Sequence, residues 1–261
     1  MRIVVCIKQI LDPETIKVSR SLQAIDERTA RRIMNPPDRW ALDTALRFKD
    51  EDPSLEVIAM SAGRSEAEDI LREALALGCD RAILLSDPYI VNARAAGLAM
   101  VLAAAIKRLR NVQLVMTGYK ALDTGSGTLG PRLAIELGGW PLLMNADQVR
   151  LESGGYVSGL QNADEKFYAS TYPLPCVVTV LETPKHPRYP HGAEIMNAYR
   201  LRSVEVWSTA ALGLDPATLP APTTSRQMRL PPPREFGVII EGSPQEAARN
   251  LIATLKARRI I

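Results

Sequence analysis

A glycine-rich stretch is the part of this sequence best suited to chemistry. Residues 123–130 read Asp-Thr-Gly-Ser-Gly-Thr-Leu-Gly, between the apolar run 114–116 and a helical pattern that starts at Leu129. The first N–H groups of a helix lack partners within it and lie at the positive end of its dipole, so they bind phosphate. The stretch has neither the lysine of a Walker loop nor the GxGxxG spacing. The residues alone leave a phosphate cradle and a plain strand–helix turn both open.

Two further turns follow predicted strands. Asn35-Pro36-Pro37-Asp38 precedes a helical pattern, and the residues favour Asp38 as the N-cap, with the prolines fixing how the chain enters the helix. The alternative is that the Asn35 amide points at a base or ribose. Ala62, within Ser61-Ala62-Gly63, lies either in a simple turn or in a second wall of the same crevice.

Other candidates for chemistry are weaker. His186 and His191 share a proline-rich loop, which favours a surface loop over a metal pair. The adjacent acids Asp164 and Glu165 are typical of a solvated turn rather than of an acid–base pair. With no legible catalytic triad, the sequence predicts a binding protein rather than a hydrolase.

Composition sets the class of protein. The 261 residues carry a net charge of +3, and Lys and Arg are too scattered to favour nucleic acid. An apolar run long enough to span a membrane is missing. The cysteines Cys6, Cys79 and Cys176 are far apart and form no metal spacing, which predicts free thiols in a reducing, cytoplasmic compartment.

Strand and helix patterns alternate up to about residue 183. This alternation predicts an α/β fold, a parallel twisted sheet between helix layers, with ligands at the carboxyl ends of the strands. The predicted strands are 2–7, 55–60, 81–85, 113–117 and 176–181, and the predicted helices are 38–49, 66–77, 92–108 and 129–137.

The chain divides into a core and an arm. We predict a nucleotide-binding core over 1–205, with an appended hairpin at about 149–171 and a proline-rich loop at 184–198. Residues 206–261 form an extended arm, proline-rich over 214–234. Ser243 and Pro244 begin its terminal helix, which is predicted to pack on another chain.

The sequence resembles the β subunit of electron transfer flavoprotein nearly end to end. Most specific is Pro-Arg-Tyr-Pro-His-Gly-Ala-Glu-Ile-Met at 187–196. The other segments that carry the resemblance lie at 2–9, 33–36, 57–63, 74–81 and 118–123.

The resemblance implies an α/β nucleotide-binding fold of the Rossmann-like, adenine-nucleotide α-hydrolase type. It also implies a heterodimer with an α subunit that holds the redox-active FAD. In most members the β subunit buries a structural AMP; in electron-bifurcating members a second FAD takes that place and accepts hydride from NADH. The positions that match the family's nucleotide site are Cys6, Asn35, Pro36, Pro37, Asp38, Ala62, Asp123, Thr124, Gly125, Ser126, Gly127, Thr128, Leu129 and Gly130. By the same resemblance, the proline-rich arm wraps the partner subunit.

The loop after the last core strand looks like the family's docking loop for partner dehydrogenases. Its matching positions are Arg188, Tyr189, His191, Gly192, Ala193, Ile195 and Met196. Gly192 replaces the leucine anchor of many members, which predicts a different partner or weaker docking, and Pro13 replaces a tyrosine near the flavin.

The cradle departs from the family in two ways. Its residues 124–128 replace the usual acidic and amide side chains, so backbone N–H groups must do more, whereas Leu129-Gly130-Pro131 is closer to bifurcating members. The predicted function is an electron-carrier β subunit that binds AMP and relays electrons from an acyl-CoA or other flavin dehydrogenase to a downstream acceptor, each bound by transient docking. The alternatives are a bifurcating subunit with its own FAD and a stand-alone ATP-binding module.

Overall fold

The computed structural model describes residues 1–19, 24–163, 166–183, 186–220 and 237–261. Contacts divide the chain into two compact units, Met1–Ser225 and Arg226–Ile261. The predicted acid pair at 164–165, Pro184 and most of the predicted proline-rich segment 214–234 lie outside the described residues.

The first unit contains all the described strands and six of the described α-helices. Its strands are β1 Arg2–Cys6, β2 Gln9–Leu11, β3 Val18–Ser19, β4 Ala24–Ile25, β5 Arg32–Met34, β6 Glu56–Ala62, β7 Arg81–Leu85, β8 Val112–Gly118, β9 Leu142–Glu152, β10 Tyr156–Ala163, β11 Lys166–Pro173, β12 Cys176–Val180 and β13 Glu205–Trp207. Its helices are α1 Pro36–Glu51, α2 Glu68–Leu77, α3 Pro88–Asn92, α4 Ala95–Arg108, α5 Leu129–Glu136 and α6 Gly192–Arg200, with 3₁₀ turns at Ser65–Ala67 and Pro216–Thr218.

Nine strands form one sheet in the order β11-β10-β9-β12-β8-β1-β6-β7-β13. The strands from β9 through β12 and β8 to β13 pair in parallel, whereas β9, β10 and β11 are antiparallel. Two small antiparallel pairs, β2 with β5 and β3 with β4, lie between β1 and α1 along the chain. The predicted α/β fold with a mostly parallel sheet is confirmed.

Helices cover both faces of the sheet because the central strands are apolar on both sides. In β1, Ile3 and Val5 belong to one core with α1 and α2, whereas Val4 and Cys6 belong to a second core with α4 and α5. Helix α1 contributes Ala41, Leu42, Ala45 and Leu46 at helical spacing, all at most 2% exposed.

Several elements differ from the sequence-based prediction. The predicted helix 92–108 is α4, which begins three residues later, at Ala95; a separate short helix that was not predicted, α3, has Asp87 as its N-cap and ends at Asn92. The predicted hairpin at 149–171 is a three-stranded antiparallel extension that begins at Leu142. Part of the predicted loop 184–198 is helix α6.

Residues 206–219, just beyond the predicted core boundary at 205, belong to the first unit. Strand β13 pairs with β7, and Leu212, Leu214 and Leu219 pack against the second core. In the second unit, α7 Pro244–Ala257 begins with Ser243 as N-cap, and Ser243 and Glu246 form a capping box. The terminal helix is therefore confirmed, whereas its packing on a partner stays a prediction.

The strand order changes direction between β8 and β1. From β1 the chain passes to α1 and β6 on one side, whereas β8 lies on the other side and leads to α5. The carboxyl ends of two such strands border a crevice, which is where open α/β sheets bind ligands. Gly118 ends β8 at this point and lies directly against Pro37 and Asp38 of α1.

Gly118→Ala should lower the free energy of unfolding by about 1–3 kcal/mol, the usual cost of overpacking. A Cβ there would lie 2.5 Å from the carbonyl carbon of Pro37 and 2.6 Å from Asp38 Oδ1. Gly63→Ala is the matched control, since its Cβ would have no atom within 4 Å; it should stay within about 0.5 kcal/mol. Urea unfolding measures both, and equal stability of the two variants would contradict the close approach.

Candidate functional site

A buried carboxylate joins the two strands that border the crevice. Asp38 is 6% exposed, and its two oxygens accept hydrogen bonds from the backbone N–H groups of Lys8 (2.8 Å) and Gly118 (3.0 Å). Lys8 lies just past β1 and Gly118 ends β8. Burial raises the pKa of Asp38 to about 7, although hydrogen bonds from Asn35, Lys8 and Gly118 act in the opposite direction.

The prediction that Asp38 is the N-cap of the first helix is wrong. The N-cap is Asn35, and Pro36 is the first helical residue. Proline is tolerated in the first turn because N–H groups there have no partner within the helix, so α1 can begin before Asp38. Asp38 is thereby placed in the first turn, with its side chain turned to the strand ends.

Asn35 is fully buried and holds the chain that follows β8. Its Nδ2 donates to the carbonyl of Lys120 (3.0 Å), and its Oδ1 accepts from the N–H of Leu122 (3.0 Å). Both contacts are with backbone on either side of Ala121. The first turn of α1 therefore fixes residues 118–122, the segment that leads to the predicted cradle.

The predicted cradle, residues 123–130, lies at the N-terminus of α5. Within the described ranges, the backbone N–H groups of Ser126, Gly127, Thr128, Leu129 and Gly130 have no hydrogen-bond acceptor. Residues 122–126 are exposed and residues 127–129 half-buried. This run of free donors at the positive end of a helix dipole is suited to an anion.

Glycine is required within the cradle by its backbone. Gly127 has φ +59°, a left-handed conformation that disfavours other residues, and a Cβ would lie 3.2 Å from the carbonyl oxygen of Tyr119. A cation lies beside the same loop: Lys8 Nζ contacts both carboxylate oxygens of Asp123, at 2.6 and 2.8 Å. Both side chains are more than a third exposed, so this ion pair contributes little to stability.

The other predicted site residues lie at the same edge of the sheet. Cys6 ends β1 and is 4% exposed. Burial, with a further contribution from the Asp38 charge, raises the pKa of its thiol to about 12, so it is neutral and unsuited to nucleophilic chemistry. Ala62 ends the adjacent strand β6 and is half-buried. Pro36 is half-buried and Pro37 buried.

The predicted docking residues divide into a half-buried anchor and an exposed surface. The guanidinium of Arg188 contacts Asp43 (2.9 Å) and Asp50 (2.6 Å), both on α1, so it is held within this chain. His191 is the N-cap of α6, where its Nδ1 accepts from the N–H of Ala193 (3.4 Å). The predicted loop thus becomes a helix after His191.

Helix α6 turns an apolar face to solvent. We use the name α6 patch for Tyr189, Ile195, Met196 and Tyr199, whose exposed fractions are 80%, 42%, 52% and 55%. Ala198 on the opposite side is buried, and Arg72 of α2 donates to its carbonyl. Gly192 and Ala193 are exposed, and a Cβ on Gly192 would have no atom within 4 Å.

Comparison with known proteins shows which family this chain belongs to. A sequence model described as electron transfer flavoprotein domain matches residues 23–211. The caffeyl-CoA reductase–Etf complex subunit CarD of Acetobacterium woodii is 33% identical over 265 residues, with both chains covered completely. The electron transfer flavoprotein subunit beta of Megasphaera elsdenii is 30% identical over 273 residues, again with complete coverage of both. This chain belongs to the electron transfer flavoprotein β-subunit family.

A relative with a different name is similar to the same extent. Protein FixA of Azorhizobium caulinodans is 30% identical over 279 residues, which cover 99% of this chain and 95% of FixA. Members of this family are flavoproteins that carry electrons. The predicted assignment of the sequence to this family is confirmed.

The described residues contain neither a metal-binding cluster nor a membrane-spanning helix. Across the described ranges, no three His, Cys, Asp or Glu side chains gather as a metal ion would need. None of the helices in those ranges is both long and apolar enough to cross a bilayer.

Sequence reasoning missed the groups that hold the site together. Lys8 received no role, although it follows β1 at the crevice, and the contacts of Asn35 reach Lys120 and Leu122, more than 80 residues away in sequence. A lysine directly after a predicted buried strand is a signal that points to the strand's carboxyl end. The pairing of Asn35 with a backbone segment has no local signal.

Asp38→Asn should change how stability depends on pH. The pKa of Asp38 is about 7 in the folded protein and about 3.9 when unfolded. Folding therefore favours the protonated form, and this contribution is complete below pH ~4 and lost as pH rises through 7. The wild type should lose stability relative to Asp38→Asn across this interval, measured by urea unfolding from pH 4 to 8. If the wild type instead gained stability relative to Asp38→Asn as pH rises, the hydrogen bonds to Asp38 would outweigh its burial.

Proposed function

We propose that this chain is the β subunit of a heterodimeric electron transfer flavoprotein that binds a structural AMP in the crevice between β1 and β8. In this proposal it pairs with an α subunit, helps to form that subunit's FAD site, and takes part in relaying electrons from flavin dehydrogenases to a downstream acceptor such as a quinone reductase. Family membership supports the electron-carrier role. The run of free N–H groups at residues 126–130 carries the nucleotide part of the proposal.

The residues present fit an adenine nucleotide. Free backbone donors and the dipole of α5 suit a phosphate, and the negative charge of Asp123 beside them is paired with the ammonium group of Lys8. Half-buried Pro36 and Ala62 offer small apolar surfaces on the other walls of the crevice. When bound, FAD supplies the electron exchange, whereas AMP supplies no redox chemistry. The chain's own task is to hold the phosphate and exclude water.

A second candidate is an electron-bifurcating subunit with its own FAD and an NADH site. Two observations favour it: CarD, named as a subunit of a caffeyl-CoA reductase–Etf complex, is a full-length relative, and Leu129-Gly130-Pro131 is closer to the bifurcating pattern. A backbone cradle accepts a diphosphate by the same chemistry as a monophosphate, so the two candidates differ in what fills the rest of the crevice.

We also propose that the protein is cytoplasmic. Three free, buried cysteines support a reducing compartment. Burial raises the pKa of the thiols of Cys79 and Cys176 to about 12 and about 11, so they serve as apolar core groups.

The α6 patch is the proposed docking surface for a dehydrogenase. Arg188 holds the start of this segment on α1 through two carboxylates, and Arg39 lies 5.9 Å from the ring of Tyr189. The leucine anchor of many family members has no counterpart at Gly192. Tyr189, Ile195 and Met196 supply the apolar area instead, so the partner surface should be apolar and shaped to these side chains.

The nucleotide content of the purified complex tests the main proposal. Denaturation of the complex should release one FAD and one AMP per heterodimer, which mass spectrometry quantifies. Two FAD and no AMP would select the bifurcating candidate. Gly127→Glu places a carboxylate among the free donors and should abolish nucleotide retention by this chain. Gly213→Glu is its matched control, because Gly213 has φ +67° against +59° for Gly127 and open space around its Cβ. Unchanged retention in Gly127→Glu would place the site elsewhere.

Tyr189→Ser tests the docking surface. Burying a large apolar side chain contributes about 1.5–3 kcal/mol, so the KM of the dehydrogenase that reduces the complex should rise about tenfold or more. Tyr89→Ser is the matched control, because Tyr89 is 57% exposed on α3 and should leave the KM unchanged. Equal effects of the two variants would remove the α6 patch from docking.

A further inference from the structure

The side chain of Asn35 already has partners within the chain. It is 0% exposed, and its amide donates to the carbonyl of Lys120 and accepts from the N–H of Leu122, both at 3.0 Å. This pairing is the one a neighbouring strand would make with that segment. A side chain fully enclosed and paired in this way presents no surface to a base or ribose.

Both side-chain oxygens of Asp38 also have partners within the chain. Its carboxylate accepts from the N–H groups of Lys8 and Gly118, and the backbone of Pro37 fills the space beside Gly118. The first turn of α1 thus holds residues 118–122 at both ends, through Asp38 at Gly118 and through Asn35 at Lys120 and Leu122.

Residues 118–122, which we call the held segment, lie close to the cradle along the chain. Beyond Leu122, the N–H of Gly125 donates to the carbonyl of Ala121 (2.7 Å), and Lys8 contacts Asp123. The continuous run of free donors begins at Ser126, the next residue after Gly125. Because so few residues separate the held segment from these donors, a shift of residues 120–122 must move the first of them.

We propose that Asn35 and Asp38 are positioning residues, whose side chains hold residues 118–122 so that the N–H groups of 126–130 converge on one phosphate, and that neither side chain contacts the base or ribose. This inference rests on the proposed nucleotide site and assigns these two residues a role within it. The backbone of residues 35–38 remains part of the crevice wall.

Two probes separate positioning from contact: AMP and adenosine, which lacks the phosphate. Binding of each to the nucleotide-free complex is measured by calorimetry for the wild type, Asn35→Ala and Asp38→Asn. Positioning predicts that AMP binds about tenfold more weakly to each variant, whereas the Kd of adenosine changes less than about twofold. Equal weakening of AMP and adenosine would overturn the proposal, because it would place the side chain at the base or ribose.

A matched control removes general effects of the substitution. Asn92→Ala deletes the same side chain from α3, where Asn92 Nδ2 donates to the carbonyl of Pro88 (2.7 Å). It should leave the Kd of both probes unchanged. A loss of AMP binding in Asn92→Ala equal to that in Asn35→Ala would show that the effect is not specific to the held segment, and would overturn the proposal.

A measurement on the wild type covers the case in which the variants do not fold. Hydrogen exchange at the N–H of Leu122 should be slow in the nucleotide-free complex and unchanged by adenosine, because Asn35 already accepts this hydrogen bond. Faster exchange on adding adenosine would show that Asn35 turns to the ligand, and would overturn the proposal. Wild-type protein that binds AMP no more tightly than adenosine would instead refute the proposed phosphate site, and the exchange at Leu122 would still decide the role of Asn35.

Discussion

The buried carboxylate of Asp38 is the interaction on which the crevice depends. Strands β1 and β8 are neighbours whose chains continue to opposite faces of the sheet, so past their ends nothing in the sheet itself keeps them together. Asp38 accepts one N–H from each side of this division. Removing a charge from water is costly, and the rise in its pKa reflects that cost. The two hydrogen bonds offset part of it and fix the distance between the strand ends.

Helix α6 has polar contacts on its inner side and apolar side chains on its exposed side. Helix α6 packs Ala198 into the core, and two arginines add polar contacts: Arg72 donates to the carbonyl of Ala198, and Arg202, two residues past the helix, donates to the carbonyl of Leu75. A surface helix usually buries its apolar stripe, but α6 leaves Ile195, Met196 and Tyr199 exposed. The contacts that hold this helix lie on its inner side, and three of its apolar side chains are exposed to solvent.

Sequence reasoning succeeded where the signal was local. Strand β7 has the predicted bounds, and β12 and α5 end within one residue of them, because continuous apolar runs and helical spacing depend only on neighbouring residues. The short strands β2, β5 and β13 were missed because three residues are too few to show a period. The N-cap was misplaced because both Asn35 and Asp38 are favourable capping residues. What separates them is long-range: Asp38 is needed at Lys8 and Gly118, which only the folded chain brings together.

A cradle built from backbone groups can differ in sequence from the corresponding sites of related proteins. The donors at residues 126–130 belong to the backbone, so their positions depend on φ and ψ and on the hold at residues 118–122 rather than on particular side chains. Ser126 and Thr128 contact each other (3.3 Å), and these positions tolerate substitution as long as the backbone keeps its course. Gly127 does not, because its left-handed conformation is what turns the chain into α5. An anion site made of backbone therefore places its sequence constraints at glycine and at the residues that hold the loop from outside.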